Sequence, residues 1–354
     1  MRISEAKTVL KEAGKSNFKL RQDPRANVKP ISIKLSGGVG IGKTSAVYQA
    51  TSEMFDELGI ENWVFRTVNL ATEAPDDIAG SNYYPDGDGF RMEKKTPWWF
   101  PADDEPHGCL FLDEYDQAEK AQKNASGPLI DEYKVGPWEL PKGWIVVAAG
   151  NRKKDRAGTT SNPSQITERW LNIEVDLNQD ETLAHFAKIG INEKIRAFLG
   201  FAGHEWLHKF DPDAEAFPTP RGWERCNTIM SFKLDDVLMI EAIASKVGGG
   251  AAAAFSGFCK VFDQVPDIDE LIADPKSANV PQAADTLYAV CALLSTKANM
   301  ENLGSILEYC GRFESQTFTA MIMRDVRARF GKELRRNPAF KKWVAEGGGK
   351  ELLV

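Results

Sequence analysis

Residues 37–44 read GGVGIGKT and match the spacing G-x-x-x-x-G-K-[ST], with Gly37, Gly42, Lys43 and Thr44 at the fixed positions. The run before it, ISIKLS (31–36), alternates like a strand, and TSAVYQATSEMF (44–55) after it reads as a helix. A glycine loop between strand and helix is the setting in which this pattern cradles a polyphosphate. The glycines let successive backbone N–H groups turn inward, and the helix N-terminus adds partial positive charge. The pattern predicts a phosphate-binding loop formed by Gly37, Gly38, Val39, Gly40, Ile41, Gly42, Lys43, Thr44 and Ser45. Lys43 is expected to reach the β- and γ-phosphates, and the Thr44 hydroxyl to face Mg²⁺.

Working outward, five strand-like runs occupy the first half: ISIKLS (31–36), NWVFRTVNL (62–70), GCLFLDE (108–114), WIVVAAGN (144–151) and WLNIEVDL (170–177). Near-continuous apolar runs separated by helical stretches predict an α/β domain with a parallel sheet covered on both faces. After Leu177 the chain turns helical, with candidates at DETLAHFAKI, at EKIRAFLGFAGHEWLHKF, and at RGWERCNTIMSF after the turn signal FPTP. The triple glycine 248–250 reads as a break or cap, and amphipathic helices fill the rest. The expected domains are a core over 1–180, a helical lid over 181–247 and a helical C-terminal region over 248–354. The Gly-, Pro- and Asp-rich stretch 83–107 predicts a hairpin inserted in the core, turning at PDGDG. Within it Trp98, Trp99 and Phe100 are either packing residues or an exposed binding loop.

The second chemical signal is CLFLDEYD (109–116). A buried strand that ends in two carboxylates delivers them to the mouth of a parallel sheet, where ligands bind. Asp113 is expected to hold Mg²⁺ through water, and Glu114 to orient and deprotonate an attacking water. WIVVAAGN ends in Asn151, which would either stand beside the γ-phosphate or simply open the turn that follows.

Composition limits the remaining options. At 354 residues the chain has room for two or three domains. A net charge of −7 argues against a protein whose main task is coating nucleic acid. The five cysteines are scattered and lack a CxxC pair, which predicts free thiols in a reducing compartment, the cytoplasm, and no zinc site. His204 and His208, at i and i+4, are too little for a metal site. No run of about 18 apolar residues is present, and the first residues are too charged for a signal peptide.

Together these segments resemble AAA+ ATPases, and within them the MoxR-like group that includes the CbbQ and NorQ type activases. The matching segments are GGVGIGKT, LATEAPDDIAG, LFLDEYDQA, LPKGWIVVAAGNRKKDRAG, ITERWLNIEVDL and FPTPRGWERC, in order, over residues 30–235. The helical remainder looks like the tail of MoxR-like proteins from phages and bacteria. The resemblance implies a sheet ordered 5-1-4-3-2, a helical lid, ATP and Mg²⁺ as cofactors, and a hexameric ring. By the same resemblance Asn151 looks like the sensor-1 residue, and Arg169 is placed like the arginine finger that enters a neighbour's site. Arg152 and Arg156 lie close enough to compete for that role. Arg221 is placed like sensor 2.

The resemblance further implies a chaperone-like remodeller acting on a protein client or on a partner with a von Willebrand factor A domain, with no membrane involved. The alternative is a nucleic-acid motor or loader of phage or restriction type, for which RMEKK (91–95) offers only a small basic patch. A slow nucleotide switch is a third reading, against which the Asp113–Glu114 pair argues.

Overall fold

The computed structural model describes residues 1–23, 25, 29–83, 93–152, 164–263 and 265–348. The chain divides into two compact units, residues 1–177 and 178–354.

Among the described residues unit 1 carries nine strands: β1 (Ser32–Gly37), β2 (Val64–Asn69), β3 (Ser81–Tyr83), β4 (Glu93–Lys95), β5 (His107–Asp113), β6 (Lys134–Val135), β7 (Trp138–Glu139), β8 (Gly143–Asn151) and β9 (Trp170–Val175). Five of them form one parallel sheet in the order β2-β5-β8-β1-β9. Counted along the chain, those five strands stand in the expected order 5-1-4-3-2. All five expected runs are strands, with ends displaced by at most two residues. The helices of this unit are α1 (Ile3–Gln22), α2 (Lys43–Glu57), α3 (Pro75–Ala79), α4 (Lys120–Ala125), α5 (Gly127–Glu132) and α6 (Ser164–Thr167).

The sheet separates two cores, as the period-2 pleat requires. Ile33, Leu35, Cys109, Phe111, Ile145, Val147 and Ala149 face α1 and α2, where Leu10, Val47, Met54 and Phe55 meet them. Leu110, Leu112, Val146 and Ala148 face the other way, toward Tyr115, Leu129, Ile130 and Tyr133. On that second face β1 presents Ser32 and Lys34, and both are buried rather than solvated. Ser32 Oγ donates to the Ile130 carbonyl at 2.6 Å, and Lys34 meets a carboxylate described below.

The long α1 forms on a narrow stripe of Ala6, Leu10, Gly14 and Asn17, spaced at helical intervals. Its outer Lys7 and Lys11 pair with Glu53 and Glu57 of α2. β3 and β4 pair antiparallel, on either side of the PDGDG sequence of the expected hairpin. Its PDGDG turn lies outside the described residues. The two tryptophans that follow separate: Trp99 is fully buried in the second core, while Trp98 is 68% exposed and donates its Nε1 to Glu73 Oε2 at 3.3 Å.

Unit 2 is helical throughout: α7 (Gln179–Lys188), α8 (Glu193–Ala202), α9 (His204–Leu207), α10 (Pro220–Ile229), α11 (Asp236–Val247), α12 (Gly249–Phe262), α13 (Ile268–Ala273), α14 (Ala284–Lys297), α15 (Leu303–Cys310), α16 (Gln316–Phe330) and α17 (Pro338–Trp343). The run from Glu193 that reads as one helix is two. Gly203 sits at φ 84°, which L side chains rarely adopt, and it ends α8. The triple glycine breaks the helix at Gly248 alone, at φ 84°, and Gly249 and Gly250 already belong to α12. A buried ion pair ties the first helices to the last. Arg196 of α8 donates to Asp325 Oδ2 of α16 at 2.7 Å and to Thr296 Oγ1 of α14 at 2.6 Å. No described helix is long and apolar enough to cross a membrane.

Candidate functional site

The C-terminal ends of four neighbouring strands of the sheet converge on the glycine loop. Parallel register brings Gly37 of β1 level with Asn151 of β8, and Asn69 of β2 level with Asp113 of β5. β2, β5 and β8 end in Asn69, Asp113 and Asn151, polar residues where each strand leaves the sheet. The polar ends therefore collect at the mouth, as expected for a ligand site in an open parallel sheet.

The loop between β1 and α2 needs its glycines for two separate reasons. At Gly37 a Cβ would lie 2.7 Å from Ile41 Cδ1 and 2.8 Å from the Val175 carbonyl oxygen, so the packing leaves no room. At Gly42 there is space, but the backbone stands at φ 91°. Gly42 is the N-cap of α2, and no side chain caps the helix there. The first N–H groups of α2 thus face the loop with their partial positive charge. Val39 is half-buried, Ile41 is buried, and Ser45 is exposed on the first turn of α2.

Lys43 folds back over this loop. Its Nζ donates to the Gly37 carbonyl at 3.1 Å, the Gly38 carbonyl at 2.8 Å and Asn151 Oδ1 at 2.9 Å. Asn151 thereby joins the loop rather than only opening the turn after β8. Thr44 Oγ1 donates to Asp113 Oδ2 at 3.3 Å, which sets a hydroxyl and a carboxylate side by side. Two hard oxygens side by side match the preferences of Mg²⁺. Asp113 Oδ1 in turn accepts the Glu114 backbone N–H at 2.9 Å.

Glu114 occupies the left-handed region, at φ 52°, one of two described non-glycine residues with positive φ. Such a conformation is unfavourable for a side-chain-bearing residue and persists only when its surroundings enforce it. Glu114 Oε2 accepts a hydrogen bond from Asn69 Nδ2 at 3.0 Å. Asn69 is a site residue that the motifs missed. The strand β2 ends on Asn69 as β5 ends on Asp113 and β8 on Asn151, although the run NWVFRTVNL itself closes on Leu70.

Of the two arginines, Arg169 stands apart from this cluster. Arg169 precedes β9, and Trp170 is level with Ser32, at the opposite end of β1 from the loop. Five strand residues at about 3.3 Å each put roughly 17 Å between that level and Gly37. The Arg169 guanidinium instead lies against Gly127, where a Cβ would come within 2.7 Å of its Nη1. Arg152 donates to Asp176 Oδ1 at 2.5 Å and to Glu174 Oε1 at 3.5 Å, beside the C-terminal end of β9. Arg156 lies outside the described residues. Arg221 belongs to unit 2. It is the second residue of α10 and exposed, on a helix start where Thr219 Oγ1 accepts the Gly222 N–H at 2.9 Å.

Neither a protein-family model nor a curated protein matches the chain. Among solved structures, NtrX from Brucella abortus is similar at 15% identity and TM-score 0.36, over 93% of this chain and 66% of that one. Two single-substitution variants of Thermotoga maritima RuvB are similar at 15% and 14% identity, with TM-scores of 0.38 and 0.36. They are matched over 81% and 82% of this chain and 79% and 80% of their own.

Proposed function

We propose that the chain is an ATP-hydrolysing AAA+ motor of the MoxR-like group, working in a homohexameric ring on a protein client. The observation that carries this reading is the meeting of Lys43 with Asn151 and of Thr44 with Asp113 at one glycine loop. A lysine, an amide, a hydroxyl and a carboxylate converging on a helix N-terminus suit a nucleoside triphosphate better than a singly charged ligand.

In this reading the residues 37–45 bind and orient the β- and γ-phosphates, and Lys43 leaves the loop carbonyls to meet them. Thr44 and Asp113 would hold Mg²⁺. When bound, that ion neutralises charge on the phosphate oxygens. Glu114 accepts a proton from the attacking water, and Asn151 orients that water against the γ-phosphate. Asn69 keeps the Glu114 carboxylate in a defined rotamer. Arg169 cannot serve its own loop across roughly 17 Å of strand. Its role as a finger therefore requires a second copy of the chain, which makes hydrolysis conditional on assembly. Arg221 reads the γ-phosphate from the helical unit, and the client is a protein, as the acidic charge balance favours.

Two substitutions test the core of the proposal. Lys43→Ala abolishes tight binding of a fluorescent ATP analogue. Glu114→Gln binds it normally but hydrolyses about 10²–10⁴-fold more slowly, the usual contribution of a general base. Wild-type affinity in the first variant, or near wild-type turnover in the second, refutes the assignment. Strong stimulation of hydrolysis by single- or double-stranded DNA would replace the protein client with nucleic acid.

A further inference from the structure

Beneath the site lies an ion pair that the chemistry above does not use. Lys34 stands in the middle of β1, between Ile33 and Leu35, and is 3% exposed. Asp116 follows Glu114 by two residues and is 7% exposed. Lys34 Nζ and Asp116 Oδ1 are 2.5 Å apart. The backbone of the same turn is held from below, where buried Lys123 donates its Nζ to the Asp116 carbonyl at 3.2 Å. Tyr115 is fully buried between the two lysines, with its ring centre 5.4 Å from Lys34 Nζ and 5.8 Å from Lys123 Nζ.

The Asp116 carboxylate also touches the neighbouring strand. A Cβ built on Gly150 would lie 2.1 Å from Asp116 Oδ2, so the carboxylate occupies the space that a side chain at 150 would take. Gly150 immediately precedes Asn151, and Lys34 lies three residues before Gly37. One carboxylate is therefore fixed to the strand that carries the phosphate loop and to the strand that carries Asn151. It belongs to the turn that carries Glu114.

Stability does not call for this arrangement. Taking both charges out of water is costly, and an apolar pair of equal volume at such a position is commonly neutral or stabilising. What an ion pair adds is a fixed distance and direction. Glu114 needs both, because its left-handed backbone relies on neighbouring residues to hold it.

We propose that Lys34 and Asp116 are a positioning pair for hydrolysis: locked between β1 and Gly150, they set the turn that aims Glu114 and keep it in register with Asn151. This rests on the ATPase reading and assigns two residues to it that make no contact with the nucleotide. A shift of about an ångström at the general base costs on the order of 10–100-fold in rate, with little effect on ground-state binding.

The test is the double variant Lys34→Met with Asp116→Leu, in which methionine and leucine fill nearly the same volume without charge. Turnover, binding of the fluorescent ATP analogue and melting temperature are measured on the full chain. The expected result is a kcat reduced about tenfold or more, with binding within a few-fold and melting temperature within a few degrees of wild type. A purely structural pair predicts the reverse, turnover that changes only as far as the protein unfolds. If the double variant does not fold, Lys34→Gln is read in its place. That change keeps a donor for Asp116 on a shorter side chain. Wild-type kcat in whichever variant folds overturns the proposal. Wild-type protein that binds ATP without hydrolysing it refutes the ATPase reading instead, so the two failures are distinguishable.

Discussion

Trp98 and Trp99 are adjacent in sequence, yet the structure requires opposite responses to truncation. Trp99 is 0% exposed and packs with Val68, Leu70, Ile78, Leu110 and Leu112. Its Nε1 has no hydrogen-bond partner among the described residues, so truncation is read as a loss of packing. Removing a buried aromatic side chain of this size costs about 3–5 kcal/mol, through lost transfer free energy and the cavity left behind. For a unit of this length, each kcal/mol moves the melting temperature by about 2–4 °C, so Trp99→Ala should melt roughly 6–20 °C lower. Trp98 is 68% exposed, and its bond to Glu73 is solvated. Trp98→Ala should therefore stay within about 0.5 kcal/mol of wild type, a shift of 2 °C at most. Calorimetry is the assay, because two compact units can melt in separate transitions. The endotherm of unit 1 is identified with Leu110→Ala, which opens a cavity in the same core. A shift under about 2 °C for Trp99→Ala, or equal shifts for the two variants, would refute the burial argument.

Three further outcomes follow from the same geometry. Arg169→Ala should leave nucleotide binding intact and depress hydrolysis in the ring by up to about 10³-fold. Mixed with Lys43→Ala subunits under exchange, it should regain activity, and no recovery between variants that assemble would mean Arg169 does not act in trans. Trp98→Ala should keep basal hydrolysis while lowering client-stimulated hydrolysis, and unchanged stimulation would remove that face from client contact. In unit 2, Asp325→Ala strands the buried Arg196 guanidinium and should cost about 3–5 kcal/mol in denaturant titration, so a loss under 1 kcal/mol would show that water reaches the pair.

The sheet was legible because each core strand is a short run rich in apolar residues, and β2, β5 and β8 change to a polar residue at their ends. That change marks where the chain leaves the sheet, and in a parallel sheet all such ends fall on one side. Asn69 obeyed the rule and was passed over only because no motif flagged a lone asparagine. The helix α1 was missed for a different reason. Its apolar stripe is thin, and its lysines read as a solvated face. Their partners Glu53 and Glu57 lie more than forty residues away on α2, a distance at which sequence periodicity carries nothing.

The same limit explains Lys34. In ISIKLS a lysine between two buried positions has the look of a solvent-facing residue on a half-buried strand, since charged side chains are almost never buried unless paired. Whether it is paired depends on Asp116, 82 residues further on, and on a glycine at 150 that leaves room for the carboxylate. Alternation identified the strand and left Lys34 without a partner, because period-2 patterning distinguishes the two faces but not what covers each of them. Where a polar residue breaks an otherwise apolar strand of a doubly covered sheet, the physical demand is for a buried partner. That demand points back to the chain immediately after β5, where the sequence reads DEYD and only the first two carboxylates carry an expected role.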